Sequence, residues 1–119
     1  MPRLRVLVVD DDPNMLETIA WGVERGGHEA VQVGRFDQAK YYIQDSPPDA
    51  LVTDVRLGAF NGLQLAILTT QKYPGTPVII LTGYEDPTLR DEAARAGATF
   101  VMKPVRLEDL LAHVKSAIP

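Results

Sequence analysis

Short runs of apolar and largely β-branched residues recur along the chain, and turn or polar residues separate them. Such runs predict buried β-strands, because Val, Ile and Thr favour extended backbone and pack well in a sheet. The predicted strands are 4–9, 28–33, 50–54, 77–82 and 99–102. The second run is the weakest. The fourth is apolar at nearly every position, which indicates a strand buried on both faces.

Between the predicted strands, apolar residues recur at three- and four-residue spacing, which predicts amphipathic helices. Asp12 and Pro13 suit the cap and first turn of the first helix, and Gly26-Gly27 suits its end. The five predicted apolar stripes are Met15, Leu16, Ile19, Ala20 and Val23; Phe36, Ala39 and Ile43; Leu63, Ala66, Ile67 and Thr70; Leu89, Ala93 and Ala96; and Leu107, Leu110, Leu111, Val114 and Ile118.

Five strands that alternate with five helices predict an α/β fold: a doubly wound, five-stranded parallel sheet with helices on both faces. The 119 residues, 45% of them hydrophobic, fit one domain with one core. No repeat, linker or low-complexity segment interrupts the pattern. We therefore expect one domain over residues 1–119, with no second domain in this chain.

The composition argues against several classes of function. The net charge is −4 and the pI is near 5.0, so the domain lacks the basic surface with which proteins bind nucleic acid. It has no cysteine, which excludes disulfides and thiolate metal sites. The apolar run 6–9 is too short to cross a membrane or to form a signal peptide. We therefore expect a cytoplasmic protein without direct contact to nucleic acid or membrane.

Reactive side chains lie at the ends of four predicted strands. They are Asp10-Asp11-Asp12 after the first, Asp54 as the last residue of the third, Thr82 as the last residue of the fourth and Lys103 after the fifth. In a doubly wound sheet these ends converge on one crevice. Two carboxylates about 5 Å apart repel by roughly 3 kcal/mol at an effective dielectric constant near 20. Either one acid is protonated, or a cation lies among them.

A hard divalent cation such as Mg²⁺ suits a site built from carboxylates, a carbonyl and waters. The metal and Lys103 together offset the charge of a phosphoryl group, while Asp54 serves as the nucleophile. A carboxylate is already ionised at neutral pH and needs no general base. Thr82 supplies a hydroxyl donor. These residue types predict phosphoryl transfer to Asp54.

Four segments carry a resemblance to a known family. They are Val8-Val9-Asp10-Asp11-Asp12, Asp54-Val55-Arg56, Leu81-Thr82-Gly83 and Met102-Lys103-Pro104. Together they resemble the receiver domain of bacterial two-component response regulators over essentially the whole chain. The resemblance implies a flavodoxin-like sheet with strand order 2-1-3-4-5. It also implies that Asp54 accepts a phosphoryl group from a sensor histidine kinase or a histidine phosphotransfer domain.

The resemblance assigns further roles. Asp11 and Asp54 would bind Mg²⁺ directly, Asp10 largely through a water, and Arg56 through its backbone carbonyl. Thr82 and Phe100 look like the switch pair, Lys103 like the phosphate-binding lysine, and the peptide bond before Pro104 would be cis. The fourth helix, fifth strand and fifth helix would then form the signalling face, toward an output domain, such as a transcription regulator, or toward a second copy of the domain.

Two other function classes stay open at this point. Asp10-Asp11-Asp12 contains the acid-x-acid pair of haloacid-dehalogenase-type phosphatases, which would make Asp10 the nucleophile. Glu108-Asp109, however, sits in a helix start, and no cap domain is present. The other class is a receiver-like interaction module that is never phosphorylated. The complete set of acids, Thr82 and Lys103 argues against it. In the leading interpretation the domain is not an enzyme beyond its own phosphorylation and dephosphorylation.

Overall fold

The structure is a computed structural model that describes residues 3–57, 60–83, 85–103, 108–109 and 112–113. Five strands and four helices alternate along these residues. The strands are β1 (Arg5–Val9), β2 (Glu29–Val33), β3 (Ala50–Asp54), β4 (Val78–Thr82) and β5 (Thr99–Met102). The helices are α1 (Pro13–Arg25), α2 (Phe36–Asp45), α3 (Gly62–Lys72) and α4 (Pro87–Arg95).

The five strands form one parallel sheet in the order β2-β1-β3-β4-β5. This confirms the predicted doubly wound, flavodoxin-like sheet with strand order 2-1-3-4-5. The register places Val9 beside Thr53, Asp54 beside Leu81, and Thr82 beside Met102. Because the strands are parallel, the carboxyl ends of β1, β3, β4 and β5 share one edge of the sheet.

Two apolar layers cover the two faces of the sheet. Leu7 and Ile80 point into the layer that contains buried residues of α2, α3 and α4. Val8 and Leu81 point into the opposite layer, which α1 covers with Ile19 and Val23. All five residues of β4 are buried, which confirms the prediction that this strand is enclosed on both sides. The rigid central strands therefore fix the positions of the residues at their ends.

Strand and helix boundaries follow the predictions closely. Strands β1, β2 and β4 each begin one residue later than predicted. At the start of β2 the reason is visible, because the backbone N–H of His28 donates a hydrogen bond to the Val23 carbonyl of α1 at 3.3 Å and so belongs to the turn after that helix. The His28 imidazole also accepts a hydrogen bond from the backbone N–H of Leu4 at 3.3 Å. In the described part of the chain, no helix is both long and apolar enough to cross a bilayer.

The predicted core stripe of α3 is partly wrong. Ile67 is 38% exposed and Thr70 is half-buried, whereas Leu65 and Thr69 are fully buried. The helix begins at Gly62 and contacts β4, α2 and α4 as well as β3, so its covered side is wider than one stripe. Thr69 tolerates this burial because its hydroxyl donates a hydrogen bond to the Leu65 carbonyl at 2.8 Å.

The segment between β3 and α3 has secondary structure of its own. Arg56–Leu57 and Phe60–Asn61 form a two-residue antiparallel ribbon. Asn61 then caps α3, since its side chain accepts a hydrogen bond from the backbone N–H of Leu63 at 2.8 Å. The ribbon carries the chain from the end of β3 directly into α3.

Two predictions fall outside the described residues. The apolar stripe of the predicted fifth helix, Leu107, Leu110, Leu111, Val114 and Ile118, is one of them. The backbone is helical at residues 108–109 and 112–113 within that segment. The cis peptide bond predicted before Pro104 is the other.

Candidate functional site

Three aspartates meet at the carboxyl edge of the sheet. Asp10 directly follows β1, Asp11 is the next residue, and Asp54 ends β3. One carboxylate oxygen from each lies within 4.8 Å of the others. The prediction that the strand ends bring these acids together is therefore confirmed.

Asp10 is almost completely buried, with 1% of its side chain exposed. One carboxylate oxygen accepts a hydrogen bond from the backbone N–H of Asp12 at 2.9 Å. The other accepts from the Lys103 ammonium at 3.2 Å. Asp12 itself caps α1, because its carboxylate accepts from the backbone N–H of Asn14 at 3.0 Å. Asp12 thus shapes the turn that presents the other two acids.

Lys103 reaches the carboxylates of Asp10 and Asp54. Its Nζ lies 3.2 Å from Asp10 Oδ2 and 3.4 Å from Asp54 Oδ2. The backbone N–H of Lys103 donates a hydrogen bond to the Thr82 carbonyl at 2.6 Å, which anchors the lysine beside the end of β4. The ammonium therefore offsets part of the charge that the strand ends concentrate.

Burial raises the pKa of Asp54 above its ordinary value, and the charge of Asp10 raises it further. The Lys103 ammonium opposes both effects, through its charge and its hydrogen bond, without cancelling them. Because a raised pKa means that the ionised carboxylate is disfavoured, a further cation near Asp54 stabilises the ionised form.

Gly62 holds the backbone of Asp54 in place, a role absent from the sequence-based prediction. A Cβ atom at position 62 would overlap the backbone oxygen of Asp54 and lie 2.8 Å from the Thr53 hydroxyl. The Gly62 N–H also donates a hydrogen bond of 2.6 Å to the Val55 carbonyl. The sequence signal for this role is the glycine directly after the helix cap Asn61, because a close approach of two backbone segments requires a residue without a side chain.

Thr82 is buried, with 1% of its surface exposed, at the end of β4. Phe100, the other residue of the predicted switch pair, is not its direct neighbour on β5. Met102 lies opposite Thr82, while Phe100 lies opposite Ile80, one step diagonally along the same face. A cavity of about 560 Å³ adjoins Thr82 and is also lined by Arg56, Asn61, Glu85 and Leu89.

The donor set fits Mg²⁺. Asp10, Asp11 and Asp54 offer only oxygen ligands, which a hard divalent cation prefers, and their spacing lets one ion contact several of them. Two further predicted roles stay predictions: the division of Asp10, Asp11 and Asp54 into direct and water-mediated ligands, and the ligand role of the Arg56 carbonyl. Arg56 itself is exposed beside the cavity.

Comparison with known proteins decides the family. The family model described as the response regulator receiver domain matches residues 6–115. The chain belongs to this family. Receiver domains generally bind Mg²⁺ through acidic residues and interact with histidine kinases and output domains, and the acidic cluster of this receiver domain has the composition that such binding requires.

Individual relatives agree. The receiver domain is 33% identical over 119 residues to the response regulator protein PilR of Pseudomonas aeruginosa, matching 99% of this chain and 27% of PilR. It spans between about a quarter and a half of the length of the curated relatives it matches. A receiver domain from Methanospirillum hungatei superposes with a TM-score of 0.91 at 28% identity, covering 97% of this chain and 93% of the other.

A third relative is a response regulator protein from Burkholderia pseudomallei, whose crystal structure contains a phosphorylated aspartic acid, a calcium ion and citrate. It is 29% identical with a TM-score of 0.84, covering 92% of this chain and 65% of the other. None of these comparisons supports the haloacid-dehalogenase alternative. Asp10, its required nucleophile, has both carboxylate oxygens engaged and is the most deeply buried acid of the cluster.

Proposed function

We propose that the domain accepts a phosphoryl group on Asp54, in a Mg²⁺-dependent reaction, from a sensor histidine kinase or a histidine phosphotransfer domain. The observation that carries the proposal is the position of the Lys103 ammonium, 3.2 Å from Asp10 and 3.4 Å from Asp54. An ammonium between two carboxylates at the carboxyl edge of the sheet offsets the charge of an incoming phosphoryl group.

Access favours Asp54 over Asp10 as the nucleophile. The Asp54 side chain is 12% exposed and that of Asp10 only 1%. Both oxygens of Asp10 are hydrogen-bonded; Asp54 contacts Lys103 through Oδ2 at the longer distance of 3.4 Å and also accepts a hydrogen bond from the Val55 backbone N–H. Asp54 therefore presents a carboxylate to an in-line donor while Asp10 orients the lysine.

The proposed reaction is a displacement at phosphorus. A carboxylate oxygen of Asp54 forms a bond to phosphorus as the bond from phosphorus to the donor imidazole nitrogen breaks, and the imidazole leaves with the electron pair. Lys103 Nζ stays beside Asp54 and donates to the oxygens of the transferred group. The product is an acyl phosphate on Asp54.

Mg²⁺ would be held by Asp11 and Asp54 directly, by Asp10 largely through a water, and by the Arg56 carbonyl. When bound, it supplies Lewis-acid stabilisation of the phosphoryl oxygens. The phosphorylated aspartic acid and calcium ion of the Burkholderia relative support a phosphoaspartate beside a divalent cation in a domain of this fold.

Thr82 and Phe100 are the proposed switch. The Thr82 hydroxyl moves toward the new phosphoryl oxygens, and the cavity beside it gives the following loop room to close. Phe100, on the same face of the sheet, then turns into the space that Thr82 leaves. The change reaches α4, β5 and the predicted fifth helix, the surface that we propose contacts an output domain or a second copy of the chain.

Phosphotransfer followed by mapping of the modified residue tests the proposal. The domain is incubated with a phosphorylated histidine phosphotransfer domain and Mg²⁺, reduced with borohydride and digested for mass spectrometry. We expect the modification at Asp54. Modification at Asp10 would favour the phosphatase-type chemistry, and no modification would favour an interaction module.

A matched control is available inside the acidic turn. Asp12→Asn removes one carboxylate but keeps a side chain that caps a helix as well as aspartate does. Because Asp12 is outside the cluster of three carboxylates, this variant should be labelled at Asp54 like the wild type.

A further inference from the structure

Arg90, on α4, contacts two segments that are separate in sequence. Its Nε donates to Glu85 Oε1 at 3.0 Å and its Nη2 donates to Glu85 Oε2 at 2.8 Å. The same guanidinium lies over the Phe100 ring, 4.4 Å from the ring centroid. One side chain thus joins the loop after β4 to an aromatic residue of β5.

The geometry of these contacts is more specific than that of an ordinary surface ion pair. The Arg90 and Glu85 side chains are 48% and 55% exposed, and a pair exposed to this extent contributes little to stability by itself. Two parallel hydrogen bonds and a ring contact, however, fix the plane of the guanidinium. The hydrogen bonds from Arg90 also hold the pKa of Glu85 below its ordinary value.

Glu85 follows Thr82 in the chain by three residues and lines the same cavity. It also directly precedes Asp86, whose carboxylate caps α4 by accepting from the backbone N–H groups of Thr88 and Leu89. Glu85 therefore lies between Thr82 and the cap from which α4 starts.

Phe100 lies on the sheet face that also carries Thr82, opposite Ile80 in the register. It is half-buried and packs against the apolar layer under α4. The loop after β4 and the Phe100 ring thus flank α4 on different segments of the chain, and Arg90 contacts both. Phe100 has no hydroxyl with which to hydrogen-bond, but a guanidinium over its ring can orient it.

We propose that Arg90 is a positioning residue that couples the loop after β4 to the Phe100 ring, so that a change at Thr82 reaches β5 through the Glu85–Arg90–Phe100 contacts. The inference rests on the proposed function for the event that moves the loop. It adds a defined route from that event to the signalling surface and assigns the route to a side chain outside the phosphorylation site.

The test monitors the loop after β4 and the Phe100 ring by separate signals. Protein labelled with fluorophenylalanine reports on Phe100 by ¹⁹F NMR, with Phe100→Leu assigning the signal, and the Gly83 amide reports on the loop. Beryllofluoride with Mg²⁺ serves as the phosphoryl mimic. In the wild type, both signals should change together during the titration.

Arg90→Met keeps an aliphatic stem and removes the guanidinium. We expect the Gly83 response and the beryllofluoride affinity to remain within twofold of the wild type, and the Phe100 response to fall by at least half. Arg90→Lys keeps the charge but not the paired hydrogen bonds, and should give an intermediate response. Arg95→Met removes an exposed arginine from the same helix and should leave both signals unchanged.

A full Phe100 response in Arg90→Met would overturn the inference. If the wild type shows no change at Gly83, the proposed function fails instead, so the two failures are distinguishable. Should Arg90→Met not fold, Glu85→Gln weakens the same pair from the loop side and must reduce the Phe100 response for the proposal to stand.

Discussion

Gly62 and the backbone carbonyl of Asp54 are packed so closely that α3 has no room for a side chain at its first residue. The same carbonyl accepts a hydrogen bond from the Thr53 hydroxyl at 2.9 Å. The position of the candidate phosphoacceptor is thus set by its backbone contacts as well as by its strand.

We therefore expect Gly62→Ala to reduce both stability and phosphorylation. The added methyl group displaces the carbonyl of Asp54, and overpacking of this kind costs about 1–3 kcal/mol in unfolding free energy. Denaturant titration and the rate of labelling by acetyl phosphate measure the two effects. Gly75→Ala is the matched control, since a Cβ at position 75 meets no atom of the described residues within 4 Å. Equal behaviour of the two variants would contradict the positioning role.

Lys103→Met should remove the ammonium charge while keeping an aliphatic side chain at this position. Without the ammonium, the buried Asp10 carboxylate loses its ion pair, a loss that typically costs about 3 kcal/mol. We expect this destabilisation in Mg²⁺-free buffer and a larger recovery on addition of Mg²⁺ than in the wild type, because the ion replaces the missing cation. Thermal unfolding with and without Mg²⁺ measures it. Lys40→Met, at an exposed position of α2, should change neither the stability in Mg²⁺-free buffer nor the recovery on addition of Mg²⁺.

Asp54→Asn should stabilise the domain in Mg²⁺-free buffer at neutral pH. The folded protein raises the pKa of Asp54, so folding disfavours the ionised carboxylate, and this cost is present only above the ordinary value of 3.8. The stability advantage of the variant should therefore grow as the pH rises from below 3.8 through the raised pKa. Chemical denaturation at several pH values measures the difference. An advantage that is independent of pH would contradict the assigned cause.

Arg56→Asn should shorten the lifetime of the phosphorylated form. Arg56 is exposed on the rim of the cavity beside Thr82, and we expect its bulk there to hinder the water that hydrolyses the acyl phosphate. Loss of the phosphorylated mass after removal of the donor gives the half-life, which we expect to fall several-fold. Arg35→Asn is a control at an exposed position before α2. An unchanged half-life in Arg56→Asn would refute the expectation that Arg56 slows hydrolysis of the acyl phosphate.

The sequence predicts the strands and their burial well because both follow from strong periodic signals, whereas the strand order came from the family resemblance. The apolar runs of β3 and β4 have little alternative to a buried parallel sheet, and Asp12 with Pro13 marks the start of α1 as the structure has it. The site follows from the same logic, since side chains directly after parallel strands must share one edge. Asp10, Asp11 and Asp54 come together for that reason.

The features that the sequence did not predict depend on which residues become neighbours in three dimensions. The exposure of Ile67 depends on how α2 and α4 flank α3, which its own periodicity does not encode. The diagonal position of Phe100 depends on a register that a single residue of slippage would change. From the sequence, Arg90 would be interpreted as a solvent-exposed charge on a helix. Its contacts with Glu85 and Phe100 are visible only in the structure.

The most direct test of phosphoryl transfer to Asp54 is the intact mass of the protein after incubation with acetyl phosphate. We predict a gain of one phosphoryl group in the wild type with Mg²⁺, and little gain when the metal is removed by a chelator. Asp54→Asn should show no gain under either condition. A wild type that gains no mass, or an Asp54→Asn variant that gains as much as the wild type, would contradict the account.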